Sequence, residues 1–299
     1  MSQATMKTNS RTQDAQTGAH AALTARRIVA YVVLTLLCAL CLFFFYVLII
    51  NATRPHADIQ KGFSFIPGSW TSVKNNFWNV MNNANIPVLT GMGNSLIVSA
   101  LTAIFSCYFS ALTAFGIHAY RFKGRTFALT FILLIMTMPT QVSALGFVQL
   151  MGQMNLKDTL LPLFLPSIAS PAVFYFMHQY MQASLPLEVI EAARIDGSSE
   201  FGTFNRIVLP MIKPAIAVQA IFTFVGAWNN YFTPALILNS ANKKTLPILI
   251  AQLRSADFLK FDMGQVYMMI AMSILPVIIV YLCLSKFIIA GVAVGGGKE

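Results

Sequence analysis

From Ile28 to Ile50 the chain runs 23 residues without a charged side chain, and similarly apolar stretches recur at about 94–119, 126–149, 162–182, 214–236 and 264–287. At about 1.5 Å of rise per residue, each is long enough to cross roughly 30 Å of hydrocarbon as a helix, or nearly so. Lipid offers no water to an unpaired backbone amide, so stretches this long and this apolar satisfy their backbone internally, as helices. The pattern predicts an all-α polytopic membrane protein with six transmembrane helices. Composition agrees, since 57% hydrophobic and 10% charged residues do not suit a soluble domain of 299 residues. The run at Ile28 reads as an anchor, because it exceeds the roughly 7–15 residues of a signal-peptide core and no small-residue cleavage site follows.

The basic residues orient the spans. Arg26, Arg27, Arg121, Lys123 and Arg125 flank the first three spans and place the N-terminus and the 120–125 turn on the cytoplasmic side. Six crossings return the C-terminus to the same side. The expected division is a loose cytoplasmic N-terminal tail over 1–27, a transmembrane domain over 28–288 and a cytoplasmic C-terminal tail over 289–299. Segment 51–93, with Pro67, Trp70 and Trp78, is expected to form an outer cap on the membrane surface. Segment 237–263 also lies outside and carries Lys243, Lys244, Arg254 and Asp257. These outer charges suit either a soluble partner or plain solvated surface.

Several function classes are disfavoured. The formal charge of +10 is not arranged as a basic stripe with interleaved aromatics, so no nucleic-acid binding is expected. Cys38, Cys41, Cys107 and Cys283 all sit in apolar runs and read as small hydrophobes. His118 and His178 lack acidic partners at metal-ligand spacing, so no metal site is expected. No Gly-rich phosphate loop with Lys and Ser/Thr is present, so nucleotide hydrolysis is not expected of this chain.

One polar segment interrupts the apolar pattern, within 184–213. Pro186 and Glu188 favour the start of a short helix, because proline lacks only an N–H that is unpaired there and the carboxylate faces the positive end of the helix dipole. Gly197 supplies a sharp bend. Ser198 or Ser199 then caps a second helix, which is expected to turn Phe201, Phe204 and Ile207 toward apolar contacts before Pro210 and Pro214 lead back to the membrane. A piece too polar to span and too apolar to float free suits a groove on a partner, or equally the headgroup layer.

Glu191-Ala192-Ala193, three residues, Gly197, nine residues, then Ile207-x-Leu209-Pro210 resembles the EAA signature of the membrane subunits of binding-protein-dependent ABC importers. The rest of the chain, over roughly 28–299, is similar to the smaller, MalG-like permease subunits of carbohydrate ABC importers. Asn94-Ser95, the Tyr120–Gly124 turn, Trp228-Asn229-Asn230 and the glycine-rich C-terminus all fit that class.

The resemblance implies a type I importer permease in a bacterial or archaeal cytoplasmic membrane, with both termini cytoplasmic. It implies four kinds of partner: a second homologous permease subunit, two cytoplasmic ATPase subunits, an extracytoplasmic solute-binding protein and a sugar or oligosaccharide substrate. The chain itself is expected to bind no cofactor, ATP and Mg belonging to the ATPase. Glu191, Ala192, Ala193, Asp196, Gly197, Ile207, Leu209 and Pro210 are implied to couple to the ATPase, with Glu191 touching it and Gly197 setting the angle. Gly295, Gly296, Gly297 and Lys298 are implied to form a tail that reaches the ATPases.

For the solute path, polar and aromatic residues inside spans count, because lipid does not reward them. Gln141, Trp228, Asn229, Asn230 and Tyr231 are the candidates, and contacts between helices would explain them as well. Pro139 is placed to open the third span. An importer of a non-sugar solute stays open, since such permeases share the loop. A secondary transporter is less favoured, because no Asp, Glu or Arg falls within the span interiors.

Overall fold

A computed structural model describes residues 2–255 and 262–295. Its principal helices are α1 (Ser2–Ala52), α2 (Trp70–Met81), α3 (Val88–Ala119), α4 (Arg125–Met136), α5 (Thr140–Gln153), α6 (Pro171–Ser184), α7 (Leu187–Ile195), α8 (Lys213–Trp228), α9 (Leu246–Arg254) and α10 (Met263–Gly295). Among the described residues there is no strand.

Hydrogen bonds between distant loops sort the chain ends of these helices onto two opposite faces. On one face Asn94 Nδ2 donates to the carbonyls of Asn242 and Lys244 (3.0 Å each), and the N–H of Leu246 donates to Ser95 Oγ (2.8 Å). The carboxylate of Asp158 accepts the N–H groups of Asn239 and Ser240 there (2.9 Å each). On the other face His118 Nε2 lies 3.0 Å from the Leu185 carbonyl, and Tyr120 meets Glu200. Four helices, over 26–52, 88–119, 161–184 and 263–287, are long and apolar enough to cross a membrane, and there are six spans when the bent pair α4–α5 and the bent segment 200–228 that ends in α8 each count as one.

The central helix is α3, packed against both α6 and α8, while α10 packs on α8 and α1. The buried face of α3 includes the small residues Ser95, Ser99, Ala103, Ser106, Cys107, Ser110, Ala111 and Ala114, along with Val98, Phe115 and Ile117. Small side chains there let helix backbones approach closely, as packing within lipid requires. Two larger apolar cores result, beside a smaller one of Met151, Ile237, Leu238 and Ile248. One joins Phe115, Phe174, Met177 and Met181 to Ile190, Phe204, Val208 and Ile212 of the 185–212 loop. The other joins Phe224 and Trp228 to Val80, Leu246, Leu249, Val266 and Met269.

The outer cap is anchored through one amide. Asn76 of α2 is buried, and its Nδ2 donates to the carbonyls of Ala52 and Arg54 (2.9 Å each), satisfying acceptors left open where α1 ends. A Cβ at Gly264 would lie 2.7 Å from the Asn76 amide, so α10 enters the cap only because that position is glycine. Asn76→Leu leaves those carbonyls unpaired, and each should cost about 1–3 kcal/mol. The expected result is a lowered melting temperature of the detergent-purified protein; an unchanged one would contradict this anchoring role.

Several expectations from the sequence need correction. The third span is not continuous: α4 and α5 are separate helices set at 99° across Thr137–Pro139, because proline cannot continue the hydrogen-bond ladder and biases the residue before it away from helix. The fifth span ends at Trp228 rather than near 236, and residues 229–231 break it from the short Phe232–Ile237 helix. The fourth span, by contrast, lies where expected, over Leu161–Ser184, with a break at Ala169 and Ser170.

The expected loose tail over 1–27 is helical from Ser2. That stretch holds no proline, and it extends a helix already nucleated by the span, so each added residue contributes a bond without the nucleation cost. At the other end α10, with Pro276 inside it, runs past 288 to Gly295. Gly296, Gly297 and Lys298 lie outside the described residues.

Candidate functional site

The EAA segment is built from α7, a glycine turn and a short second helix. The N–H of Ser198 donates to the Ala193 carbonyl (2.9 Å), and that of Gly197 to the Arg194 carbonyl (3.0 Å). These paired bonds close a helix around a residue in the left-handed conformation, and Gly197 has φ +79°. Ala193 both supplies one of the closing carbonyls and is buried. The spacing from Ala193 to Gly197 is therefore that of a helix C-terminus and its cap.

Beyond the bend, Ser199 Oγ accepts the N–H of Gly202 (3.1 Å) and caps the Glu200–Thr203 turn. The chain continues as a π-helical turn over Phe204–Val208 and enters α8 through an 80° elbow near Ile212. Phe204, Val208 and Ile212 are buried, and the Phe204 ring lies 5.6 Å from that of Phe115 and 5.7 Å from that of Tyr108. Ile207 is half-buried. Leu209 and Pro210 line an apolar cavity of about 480 Å³ with Cys107, Tyr108 and Lys213.

The opposite surface of the loop is free. Glu191, Ala192, Asp196 and Gly197 are exposed, and Ile195 and Phe201 present apolar side chains that are 86% and 65% exposed. Phe201 thus departs from the inward orientation expected for it. Ile195 had no visible signal, since a helical pattern assigns a large apolar residue to its own core. Glu191 also lines a polar cavity of about 790 Å³ with His118, Arg121, Arg125, Arg194 and Glu200.

On the opposite face, Trp228, Asn229 and Tyr231 border a cavity of about 400 Å³ together with Ile250, Arg254 and Ser273. The helix break after Trp228 creates this arrangement, exposing Asn229 and Tyr231. Trp228 is buried with its ring stacked on Phe224 at 13°, so much of its role is packing. Asn230 accepts the N–H of Thr233 (3.3 Å) and starts the following helix. Gln141 lies at the start of α5 and is not among the residues that line this cavity. Among the described residues no group of three or more His, Cys, Asp or Glu is placed to hold a metal ion.

Asp158 is a residue whose importance the sequence did not reveal. It adopts φ +58°, and its carboxylate also accepts from the Ser240 hydroxyl and from Lys243 Nζ. The Ser240 hydroxyl first, then the N–H groups of Ser240 and Asn239, hold its carboxyl well below the usual range. A depressed carboxylate stabilises the fold above its unfolded pKa and loses that effect as pH falls through its folded value, so the clamp persists at neutral pH and releases only in strong acid. In Asp158→Ala, tryptic cleavage after Lys243 or Lys244 should accelerate several-fold at neutral pH; unchanged cleavage would show that the clamp does not hold this loop.

Residues 107–292 match the family model described as "Binding-protein-dependent transport system inner membrane component". The arabinooligosaccharides transport system permease protein AraQ of Halalkalibacterium halodurans is 33% identical over 255 residues, covering 84% of this chain and 89% of that protein. The lactose transport system permease protein LacG of Rhizobium radiobacter is 27% identical, covering 88% of this chain and 94% of that protein. Among solved structures, a chain of a bacterial ABC transporter that imports the acidic polysaccharide alginate superposes with a TM-score of 0.74 at 21% identity, covering 87% of this chain and 95% of that one. The fold is thus that of an ABC importer permease.

Proposed function

The chain belongs to the family of binding-protein-dependent transport system inner membrane components, and from that premise we propose that it forms one half of the translocation path of an ATP-driven sugar or oligosaccharide importer. The observation that carries the proposal is the 185–212 loop. Its inner side is fixed into the apolar core by Ile190, Phe204 and Val208, while its outer side offers Glu191, Ile195 and Phe201 to a partner.

Force enters there. A cytoplasmic ATPase subunit, which holds ATP and Mg, receives the exposed side of the loop, and a second homologous permease with its own ATPase completes the pair. This loop and both chain termini then lie in the cytoplasm, with the C-terminal Gly295–Lys298 segment reaching the ATPases. A solute-binding protein delivers sugar at the outer face, to the cavity bordered by Asn229 and Tyr231. An exposed tyrosine ring and an amide are the groups that recognise a sugar's apolar face and hydroxyls. The permeases named for arabinooligosaccharide and lactose transport support sugar as the solute.

Uptake by proteoliposomes tests the proposal. The complex containing this chain should accumulate labelled arabinooligosaccharide or lactose only with ATP inside and binding protein outside. Uptake driven by a proton or sodium gradient without ATP would overturn the proposal and favour a secondary transporter.

A further inference from the structure

Arg194, Glu200 and Tyr120 come from three different elements and meet at one point. Arg194 Nε donates to Glu200 Oε1 (2.7 Å) and its Nη2 to Glu200 Oε2 (3.2 Å), a two-pronged pairing that fixes direction as well as distance. The hydroxyl of Tyr120, at the end of α3, donates to the same carboxylate, and the Arg194 guanidinium carbon lies 5.2 Å over the Tyr120 ring. Arg194 and Tyr120 hold the Glu200 carboxyl below its ordinary range.

We infer that Tyr120, Arg194 and Glu200 form a strut that carries movement of the coupling loop into α3, and that they are positioning residues for transport. The inference rests on the proposed coupling role of the loop. The Tyr120 ring continues the path inward, lying 6.0 Å from Phe115, which in turn packs on Phe204. The loop is thereby held to α3 by a polar and an apolar contact, beside the hydrogen bonds that join His118 to the Leu185 carbonyl and Tyr108 to Asn205. The apolar contact resists separation but is non-directional; the forked pairing resists rotation of α7 about the Gly197 bend. Because α3 packs on both α6 and α8, a turn imposed on α7 reaches both neighbouring spans through it.

The test is the ratio of sugar taken up to ATP hydrolysed by the reconstituted complex with binding protein. Glu200→Gln and Arg194→Gln should each lower this ratio by at least about fivefold, the lower end of ordinary coupling between sites, with assembly intact. The double exchange Arg194→Glu with Glu200→Arg should recover much of it, which loss of general stability would not allow. Adding Tyr120→Phe to Glu200→Gln should lower the ratio no further, since both break one path. A ratio unchanged in Glu200→Gln would overturn the strut. Should that variant not assemble, Tyr120→Phe, which removes a single hydroxyl, decides in its place by the same ratio. Failure of the unmodified complex to show sugar-dependent hydrolysis would instead count against the proposed function, and is read before any variant.

Discussion

Replacing Gly197 with valine should uncouple hydrolysis from transport, with uptake lowered at least roughly 10-fold while the protein still inserts and assembles. The reason is confined to one dihedral angle. At φ +79° an ordinary L-residue is destabilised by about 1–2 kcal/mol, and a β-branched one by more, with about 1.4 kcal/mol corresponding to a factor of ten. A Cβ added at this position meets nothing within 4 Å, so crowding does not contribute. The series Gly197→Asn, Gly197→Ala and Gly197→Val should therefore follow tolerance of the left-handed conformation, with Asn the mildest. Equal uptake across the series would show that the bend does not set the angle at which the loop meets its partner.

The second large effect is expected at Phe204. Its side chain is fully buried and contacts Phe115 and Tyr108, making it the main apolar link between the loop and α3. Truncation of a buried phenylalanine to alanine ordinarily costs about 3–5 kcal/mol. Phe204→Ala should melt well below the unmodified protein and retain little ATPase on purification. Phe201→Ala is the matched control, since that ring is 65% exposed. It should leave the melting temperature nearly unchanged while weakening retention of the ATPase. The reverse pattern would mean that the two rings have exchanged roles.

The residues that the sequence could place are those whose signals are local. Glycine after a short amphipathic helix reads directly as a bend, and its φ of +79° bears that out, with the Ser198 and Gly197 bonds to Ala193 and Arg194 showing the bend to be a helix cap. Six apolar stretches read directly as spans, yet hydropathy is indifferent to continuity. Thr137–Pro139 carries no charge, like the rest of 126–149, so the 99° bend between α4 and α5 does not appear in a search for charge-free stretches. Pro139 marks the place without giving the angle.

Asp158 was illegible for a different reason. Its partners Asn239 and Ser240 lie 81 and 82 residues away, and a lone acid in a short loop carries no pattern that points to them. The strut at Tyr120 and Glu200 spans 80 residues in the same way. Ile195 and Phe201 fail the helical pattern because that pattern assumes every large apolar side chain packs within its own chain. Their exposure is what the proposed docking of this loop on an ATPase subunit requires.

The most direct test of coupling through this loop is ATPase activity of the purified complex in liposomes, measured with binding protein and candidate sugars for the unmodified chain and for Glu191→Ala. Hydrolysis that rises with sugar and binding protein in the unmodified complex, and is lost in the variant while the subunits stay assembled, is the expected result. Equal, sugar-responsive hydrolysis in both would contradict the role assigned to Glu191, and the absence of any copurifying ATPase would contradict the account as a whole.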